Sequence, residues 1–186
     1  PSEWLKTASG ETGLTCSFYN GMKLEGDVIG TRVDADVNFN WGNGSPMSGV
    51  PSDSFSAGRE GKITLPAGDD VRLGILSDDG ARLYIDGKMV IDNWKDSFEV
   101  TVYTESALKA GSTHDIKLEY FENGGGAVAK LLYAVDTSTS TRKVYVPTGT
   151  WMNLFTGEQI VGPQSIEVTM GIEQSPIFVK MGSTTV

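Results

Sequence analysis

Ten residues constrain this chain more than any others: Arg82 to Ile91 reads RLYIDGKMVI. Two runs rich in strand formers flank Asp86-Gly87, a dipeptide that tolerates the positive φ angles of a type I′ turn, whose twist matches that of paired strands. Pairing across the turn is expected to place Leu83, Ile85 and Val90 on one face and Tyr84 and Met89 on the other. Both faces carry apolar bulk, so the hairpin should lie against a second sheet. The same period of two recurs along the chain. It is seen at Val71, Leu73 and Ile75, and at Phe98, Val100 and Val102. It is clearest at Ile116, Leu118 and Tyr120, which alternate with Asp115, Lys117 and Glu119. Further apolar runs cover 127–134 (with Val128, Leu132 and Tyr133), 166–170 (Ile166, Val168, Met170) and 177–179. No stretch carries a helical stripe, and Glu105 to Ala110 has room for one turn at most. The expected class is all-β, an antiparallel β-sandwich.

Charge divides the chain. Residues 1–140 hold 21 acidic and 12 basic residues, which accounts for the whole net charge of −9, whereas 141–186 hold three of each. The polar run Asp136-Thr137-Ser138-Thr139-Ser140-Thr141 sits at that boundary and reads as a linker. The expected organisation is a main sandwich over 11–135, a linker over 136–141 and a short appended β segment over 142–186. That segment has three or four strands and too little apolar material for a core of its own, so it should pack on the sandwich or on parts of a parent protein. The beginning at Pro1-Ser2-Glu3-Trp4, with no leader pattern, suggests a piece of a longer chain. An acidic domain repels phosphate backbones, which argues against a nucleic-acid partner. No apolar run is long enough to span a bilayer. Cys16 is the lone cysteine and reads as a small buried apolar side chain.

Several blocks resemble the protective-antigen (PA14) domain, a β-sandwich with jelly-roll-like architecture found in bacterial toxins, yeast adhesins and glycosidases. They run in the family's order: Gly13 to Gly21, then Val37-Asn38-Phe39-Asn40-Trp41-Gly42, then Ser54 to Ile63. The longest block is Ser77-Asp78-Asp79-Gly80-Ala81-Arg82 through Asp86-Gly87 to Asn93-Trp94. His114 to Glu122 resembles the closing strand pair. The family usually carries Arg-Trp before the glycine at 61, where this chain has Gly58-Arg59-Glu60, so a packing aromatic is missing at that edge. From Val144 onward a second resemblance begins. Val144-Tyr145-Val146-Pro147, Gly149 to Glu158, Gly162, Ile166 to Met170, Pro176 to Val179 and Gly182 are similar to the C-terminal β-sandwich of glycoside hydrolase family 31. That family's catalytic carboxylates lie in a (β/α)₈ barrel, and no part of a barrel is encoded here.

Catalytic constellations are weak. A glycosidase needs two carboxylates about 5–10 Å apart across a sugar, and nothing singles out such a pair. A Ser-His-Asp arrangement would depend on His114, the only histidine, for which a structural or solvated role is expected. No zinc or phosphate-loop motif occurs. Asp78-Asp79 reads first as a turn whose carboxylates satisfy loop N–H groups. In the adhesin branch of the resembled family the same pair implies a Ca²⁺ site that grips sugar hydroxyls. Adjacent carboxylates are hard ligands for Ca²⁺, and the bound ion leaves positions open to a vicinal diol. Asn123, in the loop Glu122-Asn123-Gly124-Gly125-Gly126, is the candidate third donor, because the glycines let the loop approach closely. The expected metal ligands are therefore Asp78, Asp79 and Asn123, and the expected sugar contacts are these three with Asn93 and Trp94. Trp94 follows a strand and precedes Lys95-Asp96, so it should be exposed and stack on a sugar ring. Trp41 should be a core or edge aromatic, Trp4 an anchor for the N-terminal strand, and Trp151 buried.

The leading expectation is a non-catalytic carbohydrate-binding accessory domain that concentrates an oligo- or polysaccharide at a linked glycosidase. Its partners would be that glycan and the absent barrel. The resemblance implies an α-glucosidase or α-xylosidase parent, secreted or periplasmic in a bacterium. The alternative is a structural or interaction module, with no ligand of its own, that shapes the parent's active-site rim or oligomer interface.

Overall fold

A computed structural model describes residues 2–136, 139–154, 156–171 and 175–182. The chain folds as two compact units, Pro1–Val135 and Asp136–Val186.

The first unit is an antiparallel sandwich. One sheet runs β3 (Val28–Asp34), β2 (Leu14–Asn20), β5 (Phe55–Thr64), β10 (Thr113–Glu122), β7 (Ala81–Ile85) and β8 (Lys88–Asn93), with β1 (Leu5–Lys6) also paired to β5. The other sheet runs β4 (Asn38–Gly42), β11 (Ala127–Val135), β6 (Val71–Asp78) and β9 (Val100–Tyr103). Alternation decides what faces inward. Ile116, Leu118 and Tyr120 on β10 are buried, as are Leu73 and Ile75 on β6 and Ala129 and Leu131 on β11. These side chains close one core with Leu14, Phe18, Phe55 and Leu83. The unit begins earlier than residue 11, because Leu5 is buried and pairs with Ile63. Trp4 packs at 4.6 Å on Tyr133 and fixes that start.

The hairpin forms at the expected turn, with Asp86 and Gly87 both at positive φ (50° and 77°). Its inner face differs in one residue. Leu83 pairs with Ile91 and Tyr84 with Met89, so Val90 is the extra residue of a bulge. The inward position therefore passes to Ile91, and Val90 is only half-buried. The run Phe98, Val100, Val102 is also shorter as a strand than its alternation suggests, since β9 starts at Val100.

Where the aromatic is missing, at 58–60, a buried arginine fills the inner face, with both Nη atoms left without a hydrogen-bond partner. Glu60 faces out, and Arg59 is 0% exposed on the inner face of β5. Its Nε donates to Asp34 Oδ2 at 2.7 Å. Its guanidinium carbon lies 5.2 Å from the Phe39 ring centre and 5.9 Å from that of Trp41. Arg32 bonds the other Asp34 oxygen at 2.5 Å. Trp41 is the core-side aromatic expected, stacked on Phe39 at 4.9 Å.

In the second unit, β12 (Thr139–Asn153) pairs with β13 (Gln159–Gly171) and β14 (Phe178–Lys180). β12 starts inside the expected linker, because Thr and Ser suit a strand as well as a loop; Thr141 and Thr169 join hydroxyls across the pair at 2.7 Å. Thr137 and Ser138 of that linker, and Phe155 of the second motif, lie outside the described residues. Among the described residues only Val146, Ile160 and Met170 are buried apolar side chains here. Trp151 is half-buried and donates its Nε1–H to the Pro147 carbonyl at 2.9 Å.

Candidate functional site

Three connections meet at one end of the sandwich: β6 to β7, β8 to β9 and β10 to β11. The first carries Asp78 and Asp79, joined by a cis peptide bond, and then Gly80. A Cβ on Gly80 would stand 2.2 Å from the Phe121 ring, so only glycine lets the turn close over β10. The third connection carries Glu122, Asn123 and the glycines.

These connections bring carboxylates together. Ligand oxygens of Asp78, Asp79 and Glu122 lie within 4.8 Å of one another. Asp79 is held by two main-chain donors, Ser97 N–H at 3.0 Å and Asn123 N–H at 2.8 Å. The Asn123 amide nitrogen donates to Asp96 Oδ2 at 2.6 Å. Asp53 takes the Gly125 N–H at 3.3 Å. Asp78, Asp79 and Asp96 line a cleft of about 420 Å³ with Ser97, Phe98 and Gly124 to Gly126. Among the described residues no ion pair neutralises any of these acids.

The electrostatic result is a site short of positive charge. Burial pushes the Asp78 carboxyl up, and Asp79, Glu99 and Asp96 push it further. Burial also raises Asp79, against the two N–H donors that favour its charged form. Glu122 is 0% exposed, and burial with the nearby acids pushes it up to about 7. Its Oε2 lies 3.0 Å from the Tyr120 hydroxyl, which also donates to the Asp78 carbonyl. Glu122 Oε1 is buried with no hydrogen-bond partner. An all-oxygen donor set with one orphaned buried carboxylate oxygen fits a hard divalent cation such as Ca²⁺.

Of the residues expected at the site, Asp78, Asp79 and Asn123 are brought together. Asn123 joins them through its N–H to Asp79 and its amide nitrogen to Asp96, and neither it nor Asn93 nor Trp94 is among the residues lining the cleft. Asn93 ends β8, with its amide nitrogen buried and unpartnered. Trp94 is not the free platform expected. It is half-buried, edge-on to Phe121 at 4.8 Å, with the Arg82 guanidinium 3.9 Å from its ring centre. That arginine is fixed by Glu119 at 2.9 Å. Sequence reading missed Glu122, Asp96 and Phe98. Glu122 was legible as the neighbour of Asn123 at the end of an inward-facing run; the other two lie in a loop with no pattern of its own.

Two other features take on no such charge imbalance. A depression of about 760 Å³ on the outer face of the larger sheet is lined by Lys62, Tyr84, Asp115 and Lys117, among others. Lys62 pairs with Asp115 at 2.6 Å, and Lys117 pairs with Glu119 at 2.9 Å and covers Tyr84. His114 lies between Asp86 Oδ2 (2.6 Å) and Ser112 Oγ (2.8 Å). Ser112 donates its own proton to the Lys109 carbonyl at 2.5 Å, so the ring tethers the hairpin turn to the 109–112 turn.

Comparison with known proteins places these observations. Residues 10–145 match the model of the PA14 domain, and residues 127–184 match that of the glycosyl hydrolase family 31 C-terminal domain. An anti-sigma-I factor, RsgI3 of Acetivibrio thermocellus, is 34% identical over 137 residues, 73% of this chain and 20% of its own length. An isomaltosyltransferase of Sporosarcina globispora is 32% identical over 75 residues, 40% of this chain and 7% of its own. The chain thus spans a small part of the curated relatives it matches. A solved anti-sigma factor domain-containing protein superposes with a TM-score of 0.64 at 26% identity, covering 82% of this chain and 46% of that one. No helix among the described residues is long and apolar enough to cross a membrane. With the family model covering nearly the whole sandwich, this chain belongs to the PA14 domain family.

Proposed function

We propose that the chain is a non-catalytic, carbohydrate-binding accessory part of a secreted bacterial glycoside hydrolase, and that it holds its glycan through Ca²⁺. The observation that carries this reading is the acid cluster around Asp78, Asp79 and Glu122, which no basic side chain among the described residues neutralises and which contains an orphaned buried oxygen. Asp78, Asp79 and Glu122 would supply carboxylate oxygens, with the Asn123 amide oxygen as a further donor. The bound ion would offer open positions to two adjacent hydroxyls of a sugar. Asp79 is oriented by Ser97 and Asn123 before any ligand arrives, which lowers the ordering cost of binding. The match of 127–184 to the family 31 C-terminal domain, and the isomaltosyltransferase relative, support a parent that acts on α-linked glucans or xylosides.

A second reading is an interaction module without a ligand. The anti-sigma relatives, and the exposed Tyr145, Leu154 and Val161 of the second unit, favour it. Calorimetric titration with xyloglucan and malto-oligosaccharides, in Ca²⁺ and then in EDTA, separates the two. Heat seen only with Ca²⁺ and absent in Asp79→Ala is the expected result. Silence in both conditions, from protein shown to be folded, supports the module.

A further inference from the structure

Phe98 is 94% exposed, the most exposed large apolar side chain of the described residues. It is not stranded at random. It lines the same cleft as Asp78, Asp79 and Asp96. The segment that carries it is tied to the acid cluster twice: Ser97 N–H donates to Asp79 Oδ1, and Asp96 accepts from the Asn123 amide. The Ser97 hydroxyl is buried and unpartnered beside it. Gly124, Gly125 and Gly126 line the same cleft. A Cβ at Gly124 or Gly125 would meet nothing within 4 Å, so that wall is open space rather than side chain. One cleft is thus lined by an exposed aromatic ring, by hard oxygen donors and by three residues without side chains.

We infer that Phe98 is the specificity-determining platform of the site, stacking on the apolar C–H face of a pyranose whose vicinal hydroxyls reach the cation at Asp78 and Asp79. This rests on the calcium-dependent sugar reading above. The chemistry selects sugars that present a contiguous C–H face and an adjacent diol at once, and it discriminates against rings in which axial hydroxyls interrupt that face. Trp94, already covered by Arg82 and Phe121, is not available for the role. Because Asp79 orients both the ion and the Phe98 loop, cation binding and ring placement are coupled through one carboxylate.

The test uses this chain, its Phe98→Ala and Phe98→Trp variants, and two titrations of each. Ca²⁺ alone is titrated first; then, in saturating Ca²⁺, the best binder from an array of gluco-, xylo- and galacto-oligosaccharides. An exposed ring can be removed without unfolding the domain, and the Ca²⁺ isotherm verifies this in the same sample. Phe98→Ala should bind Ca²⁺ as the wild type does and lose about tenfold or more in glycan affinity. Phe98→Trp should keep that affinity, with sugar C–H resonances shifted upfield in the complex. Glycan affinity unchanged in Phe98→Ala overturns the platform while leaving the calcium-dependent site standing. An array silent for the wild type in Ca²⁺ overturns the sugar reading itself, and the platform with it.

Discussion

The sandwich contains two buried groupings of charge, and it treats them oppositely. Around Asp34, two guanidiniums hold one carboxylate, and the Phe18, Phe39 and Trp41 rings pack against them. Around Asp78, Asp79 and Glu122, acids face acids, and no basic side chain among the described residues answers them. The first grouping sets opposite charges against each other, although Arg32 Nη2 and both Nη atoms of Arg59 are buried without a hydrogen-bond partner. The second is incomplete as protein alone, and a cation would complete it. Desolvated like charges raise the free energy of the fold, and an ion bound among them would lower it.

Breaking the Asp34 grouping should have the largest effect. Asp34→Ala leaves Arg59 buried without its carboxylate and should cost about 3–5 kcal/mol, read as a lower denaturant midpoint in urea. Asp34→Asn, which keeps one acceptor, should cost less. The incomplete grouping should respond to ligand instead. Ca²⁺ at 100 times its Kd should stabilise the fold by about 2.7 kcal/mol, seen as a calcium-dependent rise in Tm that EDTA reverses.

Replacing Glu122 by Gln sharpens the contrast further. The Glu122 carboxyl is raised to about 7 from an ordinary value of 4.5. A group raised in this way contributes stability that is full below its unfolded value and is lost as pH rises through about 7. In EDTA, Glu122→Gln should therefore flatten the fall in Tm between about pH 5 and 8, and in Ca²⁺ it should lose the rise. A Tm profile with the wild-type slope would contradict the burial of an unneutralised acid there.

Two smaller effects mark what lies outside the comparison. Cys16 is fully buried beside the Asp34 grouping, and burial pushes its thiol up to about 11. Iodoacetamide at pH 8 should leave it unmodified in the native state and label it in urea. His114→Ala cuts only a surface tether and should cost within about 1 kcal/mol, with glycan binding unchanged.

Much of the fold was legible because period-two alternation survives wherever one face of a strand is buried, as in Ile116, Leu118 and Tyr120. The turn chemistry of Asp86-Gly87 and of Asp78-Asp79-Gly80 was legible for the same local reason. What escaped depends on neighbours distant in sequence. The Val90 bulge is set by pairing with Leu83 and Tyr84, and the cover over Trp94 comes from Arg82 on the adjacent strand. Phe98 fits an alternating pattern, yet its segment is diverted from the sheet by bonds to Asp79 and Asn123. Glu122 reads as the end of a strand, and only the convergence of β6 and β10 makes it part of the acid cluster.

The most direct measurement is calorimetric titration of Ca²⁺ into the chelator-stripped protein at pH 7.5, beside an Asp78→Asn/Glu122→Gln double variant. One saturable site in the wild type, accompanied by proton release and absent from the double variant, is the predicted result. No heat from folded wild-type protein, or the same isotherm from both proteins, would contradict the claim that this acid cluster is a cation site.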